Sequence, residues 1–238
     1  VIPFYNAEKW LKKCIKSVKI QEYGHFECVL VDDMSKDNSF NVAKQEINSD
    51  ARFKLIKNKK KYFALENIAR AIKKANCSDE DIILLLDGDD WLSNTNSLST
   101  LVEHYEKEDC LMTYGSYVYN PGGMRGLEPS KYPDTVINSN SFRQDKWRAS
   151  HLRSFTYYLW KNLNQDDLKD SGGKYYTMAY DQAIMLPLLE MSGDRSTYIE
   201  ESLYVYNKEN PLNVDKIKQQ QQYSTAQEIR AKTPYKRL

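Results

Sequence analysis

Residues 82–92 read IILLLDGDDWL. Five apolar residues run unbroken from Ile82 to Leu86, and Asp87, Asp89 and Asp90 follow at once around Gly88. A short continuous apolar run with turn signals after it predicts a strand buried in a parallel sheet. Carboxylates this close repel one another and resist burial, so they need a positive partner. Their oxygens suit hard divalent ions such as Mg²⁺ and Mn²⁺. Gly88 is expected to let the backbone turn tightly so that Asp87 and Asp89 converge. In open α/β sheets ligands gather at the carboxyl ends of strands, where this cluster would lie. On these residues alone, a solvated acidic turn before a helix near Asn96 is the plainer alternative.

Working upstream, strand and helix alternate. Val1–Phe4 reads as the end of a first strand, with Asn6 as cap of a helix in which Trp10, Leu11, Cys14, Ile15 and Val18 recur at helical spacing. Phe26–Val31 reads as a second strand that ends in Asp32-Asp33, and a helix is expected from Ser39. Phe53–Ile56 is a third strand, Lys57–Lys61 a basic loop, and Ala64, Leu65, Ile68, Ala69 and Ile72 mark another amphipathic helix. Four such alternations predict an α/β fold with a mostly parallel central sheet flanked by helices. The Asp pairs at two strand ends, with Tyr5-Asn6 at a third, have a nucleotide-sized site as their simplest common cause. No G-x-G-x-x-G or Walker A sequence is present, which argues against a conventional dinucleotide or P-loop site.

Downstream the pattern is less regular. Leu111–Tyr119 is a strand candidate, Pro121-Gly122-Gly123 a turn, Pro129–Asn140 a loop and Leu152–Leu163 an aromatic-rich helix. Asp181–Met191 reads as an apolar helix ended by Gly193, with Pro187 kinking it or marking a short first piece. Thr197–Ile199 and Leu203–Tyr206 are short strand candidates, and Asn213–Lys232 a polar helix.

Composition fits a soluble globular chain with one real core: 238 residues, 41% apolar and 28% charged. The net charge of +1 offers no global field to recruit nucleic acid or a membrane. The 18 tyrosines join apolar bodies to hydroxyls, which suits contact with sugars as well as sheet packing. Cys14, Cys28, Cys77 and Cys110 form no C-x-x-C pair, so a reducing compartment without structural zinc is expected. No apolar run approaches transmembrane length. Val1-Ile2-Pro3 reads like the middle of a strand, so the natural chain is expected to start earlier.

As a set, VIPFYNAEKWLKKCIKSV, VLVDDMSKDNS, NIARAI and LLLDGDDWL resemble the nucleotide-sugar-dependent glycosyltransferases of family 2. YDQAIMLPLLEMSG resembles the acceptor-side helix that carries that family's catalytic carboxylate. The resemblance implies a GT-A, Rossmann-like fold, inversion at the anomeric carbon and a divalent ion, Mn²⁺ or Mg²⁺. It implies one domain over 1–238, with a nucleotide-sugar half at 1–92, an acceptor half at 93–212 and a C-terminal helix at 213–238. By match, Asp87 with Gly88 lies near the ribose, Asp89 contacts the metal and Asp90 supports them. One of Asp32 and Asp33 reads the base, Pro3, Tyr5 and Asn6 line its pocket, and Asp181 is the general base. A nucleotide-sugar donor is implied, with a glycan, a lipid-linked saccharide or a protein as acceptor. The expected compartment is the cytoplasm, with weak membrane association left open. No nucleic-acid partner is expected.

The sequence also departs from the family pattern. Tyr180 precedes the base where many relatives carry an acid, and Glu66 precedes Asn67 where many carry Arg. His25, His104 and His151 are the only histidines, so no late metal-binding His is present. His151 and Arg153 read either as a contact to diphosphate or acceptor, or as a surface pair at a helix start. Trp91 reads either as a sugar-stacking ring or as packing beneath the acidic loop, and Glu190 as an acceptor-site residue or a helix cap. Two rival functions remain: a nucleotidyltransferase that makes the sugar nucleotide, and a binding module without turnover. The first would need a glycine-rich basic loop where Tyr5-Asn6-Ala7 stands, and the second would be expected to lose Asp89 or Asp181.

Overall fold

The computed structural model describes residues 1–211 and 219–238. Strands β1 (Ile2–Phe4), β2 (Cys28–Asp32) and β3 (Phe53–Lys57) pair in parallel, in the order β1-β2-β3. Strands β4 (Ile82–Leu85), β5 (Trp91–Leu92), β6 (Met112–Asn120), β7 (Ser150–Thr156) and β8 (Ser196–Asn207) form a mixed sheet, in the order β4-β7-β6-β8-β5. The two sheets meet where Leu86 and Gly88 donate backbone N–H bonds to the carbonyls of Val1 and Pro3. Helices α1 (Glu8–Lys19), α2 (Ser39–Ile47) and α3 (Phe63–Ala75) connect the parallel strands, as the alternation predicts.

Both faces of the sheet are covered. Ile83, Leu85 and Phe155 pack in one core with Leu65 and Ile68 of α3 and with α7 (Tyr180–Ser192). Leu86 and Leu152 pack in the other, with Leu11 and Ile15 of α1. Ile82 and Leu84 are only partly buried, so the expected fully buried strand is half of one. Helix α7 is buried along Ala183–Ser192 and carries Pro187 inside a continuous helix. Among the described residues no helix is long and apolar enough to cross a membrane.

Several local expectations are corrected. Leu152–Leu163 is not one helix: β7 occupies Ser150–Thr156, and α6 covers only Tyr157–Asn162. Strand β7 lies antiparallel to both β4 and β6, with Leu85 opposite Arg153 and Met112 opposite Phe155. The backbone groups along the edges of β4 and β6 need partners, and Ser150–Thr156 supplies them as a strand. Asn6 does not cap α1. It adopts φ +50 and accepts from Lys36 N–H, while the Ala7 carbonyl receives Trp10 and Leu11. The loop expected over 129–140 contains α5 (Asp134–Ser139). The two short strands expected after Gly193 are one strand, β8, whose register against β6 shifts near Ser116. Helix α4 spans Ser97–Glu108 and α8 spans Gln219–Arg230; residues 213–218 of the expected last helix lie outside the described ones.

A buried ion pair fastens the C-terminal segment. Arg143 grips both oxygens of Glu190 at 2.6 and 2.9 Å and donates to the Ile229 carbonyl at 2.6 Å. Tyr235 N–H also donates to Glu190. Glu190 is fully buried and belongs to the scaffold rather than to an acceptor site. Removing one partner strands a buried charge, so Glu190→Ala should cost about 3–5 kcal/mol in urea unfolding. An unchanged midpoint would show that this pair does not fasten the tail.

Candidate functional site

The site lies at the carboxyl ends of β1, β2 and β4. Gly88 has an ordinary negative φ, so it is not there for a left-handed turn. A Cβ at this position would sit 2.4 Å from Phe4 Cβ, so glycine is required by the close approach of β1. That approach fixes the backbone from which Asp87, Asp89 and Asp90 project.

The three carboxylates have different surroundings. Asp90 is buried and accepts from Tyr204 hydroxyl at 2.6 Å and from Asn207 N–H at 2.7 Å, so it ties the loop to β8. Burial, then the charges of Asp89 and Asp87, push its carboxyl well above the usual range. Asp89 accepts from Asn210 at 2.7 Å, and burial followed by the Asp87 charge raises its carboxyl from 3.8 to about 6. Asp87 accepts from Tyr180 hydroxyl at 2.6 Å. Its other oxygen lies 3.7 Å from Arg153 Nη2, while Arg153 Nη1 lies 3.8 Å from Asp181.

Arg153 and His151 stand on β7, not at an exposed helix start. Arg153 is 3% exposed, and its Nε–H has no partner among the described residues. Burial alone would ease its proton off; the nearby Tyr180, Asp181 and Asp87 outweigh that and keep the guanidinium charged. His151 stacks on Tyr204, with ring centroids 4.2 Å apart. Desolvation, reinforced by Arg153, holds its proton affinity well below the usual 6.5, so it is a neutral acceptor for Arg153 Nη2 at 3.0 Å. Trp91 is buried, with the Lys13 ammonium 3.6 Å from its ring centroid, so it packs beneath the loop.

The Asp pair of β2 also divides. Asp33 accepts from Asn58 Nδ2 at 3.1 Å, Tyr62 N–H at 2.8 Å and Phe63 N–H at 2.9 Å, which serves the free N–H groups at the start of α3. The Asp32 carboxylate receives Ser35 N–H at 3.0 Å on Oδ1, and its buried Oδ2 has no partner among the described residues. Beside it, Asn6 N–H donates to Ser35 and binds the two loops together. Pro3 receives Gly88 N–H through its carbonyl, and the Lys61 ammonium sits 3.2 Å from the Tyr5 ring centroid.

Asp87 and Asp89 fit a hard divalent ion, because their mutual repulsion is what such an ion relieves. Among the described residues no group of three or more His, Cys, Asp or Glu could hold a metal alone. Ligand oxygens and water would have to complete the shell. Tyr204 and Asn210 are not singled out by the sequence, and Tyr180 stands out there only as a departure from the family pattern before the base. Arg153 and Phe155 share one face of β7 and Leu152 and Ser154 the other, so no apolar–polar alternation in the sequence marks Arg153 as a strand residue.

The family model described as "Glycosyl transferase family 2" matches residues 1–165. The glucosyltransferase WfgD of Escherichia coli is 34% identical over 190 residues, 70% of this chain and 69% of that protein. Its name gives UDP-Glc as donor and α-D-GlcNAc-diphosphoundecaprenol as acceptor. Residues 1–349 of S. aureus TarS, solved with UDP-GlcNAc, superpose with TM-score 0.64 at 17% identity, over 88% of this chain and 58% of that one. A Pyrobaculum calidifontis mannosyltransferase, solved with GDP-Man and Mn²⁺, gives TM-score 0.59 at 15% identity, over 86% of this chain and 55% of that one. These likenesses show the GT-A fold. Three further bacterial glycosyltransferases that match are longer, and the chain spans 62%, 30% and 38% of their lengths.

The raised Asp89 carboxyl gives a pH signature without metal. It binds its proton more tightly folded than unfolded, so its favourable contribution is complete below about pH 4 and fades as pH rises through 6. In EDTA, Asp89→Asn should therefore raise stability at pH 7 by up to about 3 kcal/mol and change it little at pH 4. Equal shifts at both pH values in thermal unfolding would contradict the assignment.

Proposed function

The chain belongs to glycosyltransferase family 2, and on that premise we propose an inverting, metal-dependent transfer of sugar from a nucleoside diphosphate sugar, a UDP-sugar first, to an acceptor hydroxyl. One observation carries this reading. The Arg153 guanidinium lies 3.7 Å from Asp87 and 3.8 Å from Asp181, so a donor-side carboxylate and the candidate base share one cation.

The proposed donor end is built from β1, β2 and β4. The unpartnered Asp32 oxygen supports a base with a ring N–H, as uracil has, and makes Asp32 rather than Asp33 the proposed reader. The UDP-sugars named with WfgD and TarS agree with that choice. Pro3, Tyr5 and Asn6 would flank the nucleoside, and Asp87 with Gly88 the ribose. Asp89, assisted by Asp87, would hold Mg²⁺ or Mn²⁺. When bound, the ion supplies charge neutralisation to the diphosphate leaving group.

Asp181, in the first turn of α7, takes the proton of the acceptor hydroxyl as that oxygen attacks the anomeric carbon. The new C–O bond forms as the bond to the β-phosphate breaks, and the nucleoside diphosphate leaves. The Arg153 guanidinium balances charge on both Asp181 and Asp87. The proposed acceptor is a saccharide, with lipid-linked forms the first to try because WfgD is named for one. The proposed compartment is the cytoplasm, at or near a membrane surface. Residues 1–92 supply most of the proposed donor contacts, and the acceptor half reaches back through Arg153, Tyr180 and Asn210.

Asp181→Asn separates a base from a helix-start carboxylate, because Asn also tolerates that position but cannot take the proton. UDP release from UDP-glucose should fall by roughly 10²–10⁴-fold, with UDP affinity by calorimetry within about twofold of the parent. Retention of more than about a tenth of the parent rate would place the base elsewhere.

A further inference from the structure

Tyr180 occupies the position just before the base, and its contact is specific to a phenol. Its hydroxyl donates to Asp87 Oδ1 at 2.6 Å, a charge-assisted bond that joins the start of α7 to the end of β4. We propose that Tyr180 is a positioning residue, whose hydroxyl pins the first turn of α7 so that Asp181 stands at the donor end; this rests on reading Asp181 as the base.

The two ends of that bond are held by different parts of the fold. Asp87 projects from a backbone held by Gly88 N–H on the Pro3 carbonyl, with Gly88 pressed against Phe4. The chain leading into α7 is anchored by the buried Tyr176, Met178 and Ala179, none of which contributes a side-chain hydrogen bond to β4. Residues 171–174 are exposed, and Ala179 enters the helix at φ +48, a left-handed conformation that a non-glycine residue adopts at a cost. No side chain caps the first turn of α7. Arg153 meets Asp181 only at 3.8 Å, beyond hydrogen-bond distance. The other side-chain tie nearby is Arg230 Nε to Gln182 Oε1 at 2.8 Å, which faces α8 rather than β4. The Tyr180 hydroxyl is therefore the short link that sets this turn against the sheet. Burial and the Asp87 charge hold the phenol well above its ordinary range, so it stays a donor at neutral pH. Its ring, with the Arg153 guanidinium carbon 5.6 Å from the centroid, would survive replacement by phenylalanine.

Tyr180→Phe removes only the hydroxyl. Hydrogen exchange of the peptide Met178–Ile184 should then quicken about tenfold while peptides of β4 and α3 stay unchanged. Asp87→Asn, which weakens the same bond from the other side, should quicken the same peptide. With UDP-glucose as donor, Tyr180→Phe should lower kcat about tenfold and leave UDP affinity within about twofold. In the Asp181→Asn background it should have almost no further effect, since a positioning residue acts only through the group it positions. A purely structural tyrosine would lower stability and leave kcat per folded molecule unchanged, and a tyrosine acting independently of Asp181 would lower kcat by the same factor in the Asp181→Asn background. Unchanged exchange in both variants, or a multiplicative double mutant, would overturn the proposal. Full activity of Asp181→Asn alone would instead remove the base assignment, and the exchange measurement would still decide whether Tyr180 pins the turn.

Discussion

A buried guanidinium joins the two parts of the site. Arg153 sits inside the sheet with almost no access to water, and a charge so placed persists only when paired. Its partners come from distant parts of the sequence: Asp87 from the end of β4 and Asp181 from the start of α7. Insertion of β7 between β4 and β6 brings the arginine there. Among the described residues it is the cation that faces both Asp87 and Asp181.

Neighbouring carboxylates take different roles according to how many donors reach them. Asp90 and Asp33 are engaged by the scaffold, one binding β8 to the acidic loop and the other serving the start of α3. Asp89 is left in electrostatic tension with Asp87, and Asp32 keeps a buried oxygen unpaired. A polar group left wanting a partner inside a protein carries a free-energy cost, and ligand sites are where such costs are met by the ligand. The unsatisfied members of each pair are therefore the ones proposed to bind donor and metal.

Much of this was legible in the sequence. Apolar runs ending in Asp pairs located β2 and β4, and helical spacing located α1 and α3; β1, β2 and β3 also pair with near neighbours in the chain. The acceptor half was less legible. Whether 150–156 forms a strand depends on the open edges of β4 and β6, far away in sequence, and no strict apolar–polar alternation marks the segment locally. Gly88 was recognised as necessary but for another reason, since a close approach by Phe4 leaves no trace near residue 88 in the sequence. The Tyr180–Asp87 and Asn210–Asp89 bonds span 93 and 121 residues, beyond the reach of any local pattern.

Stereochemistry tests the central claim most directly. With α-linked UDP-[1-¹³C]glucose and water or a saccharide as acceptor, NMR at early times reads the configuration of the first product before it equilibrates. A single displacement with Asp181 as base predicts the β configuration. An α product would contradict it, because retention requires a different displacement and a different role for Asp181.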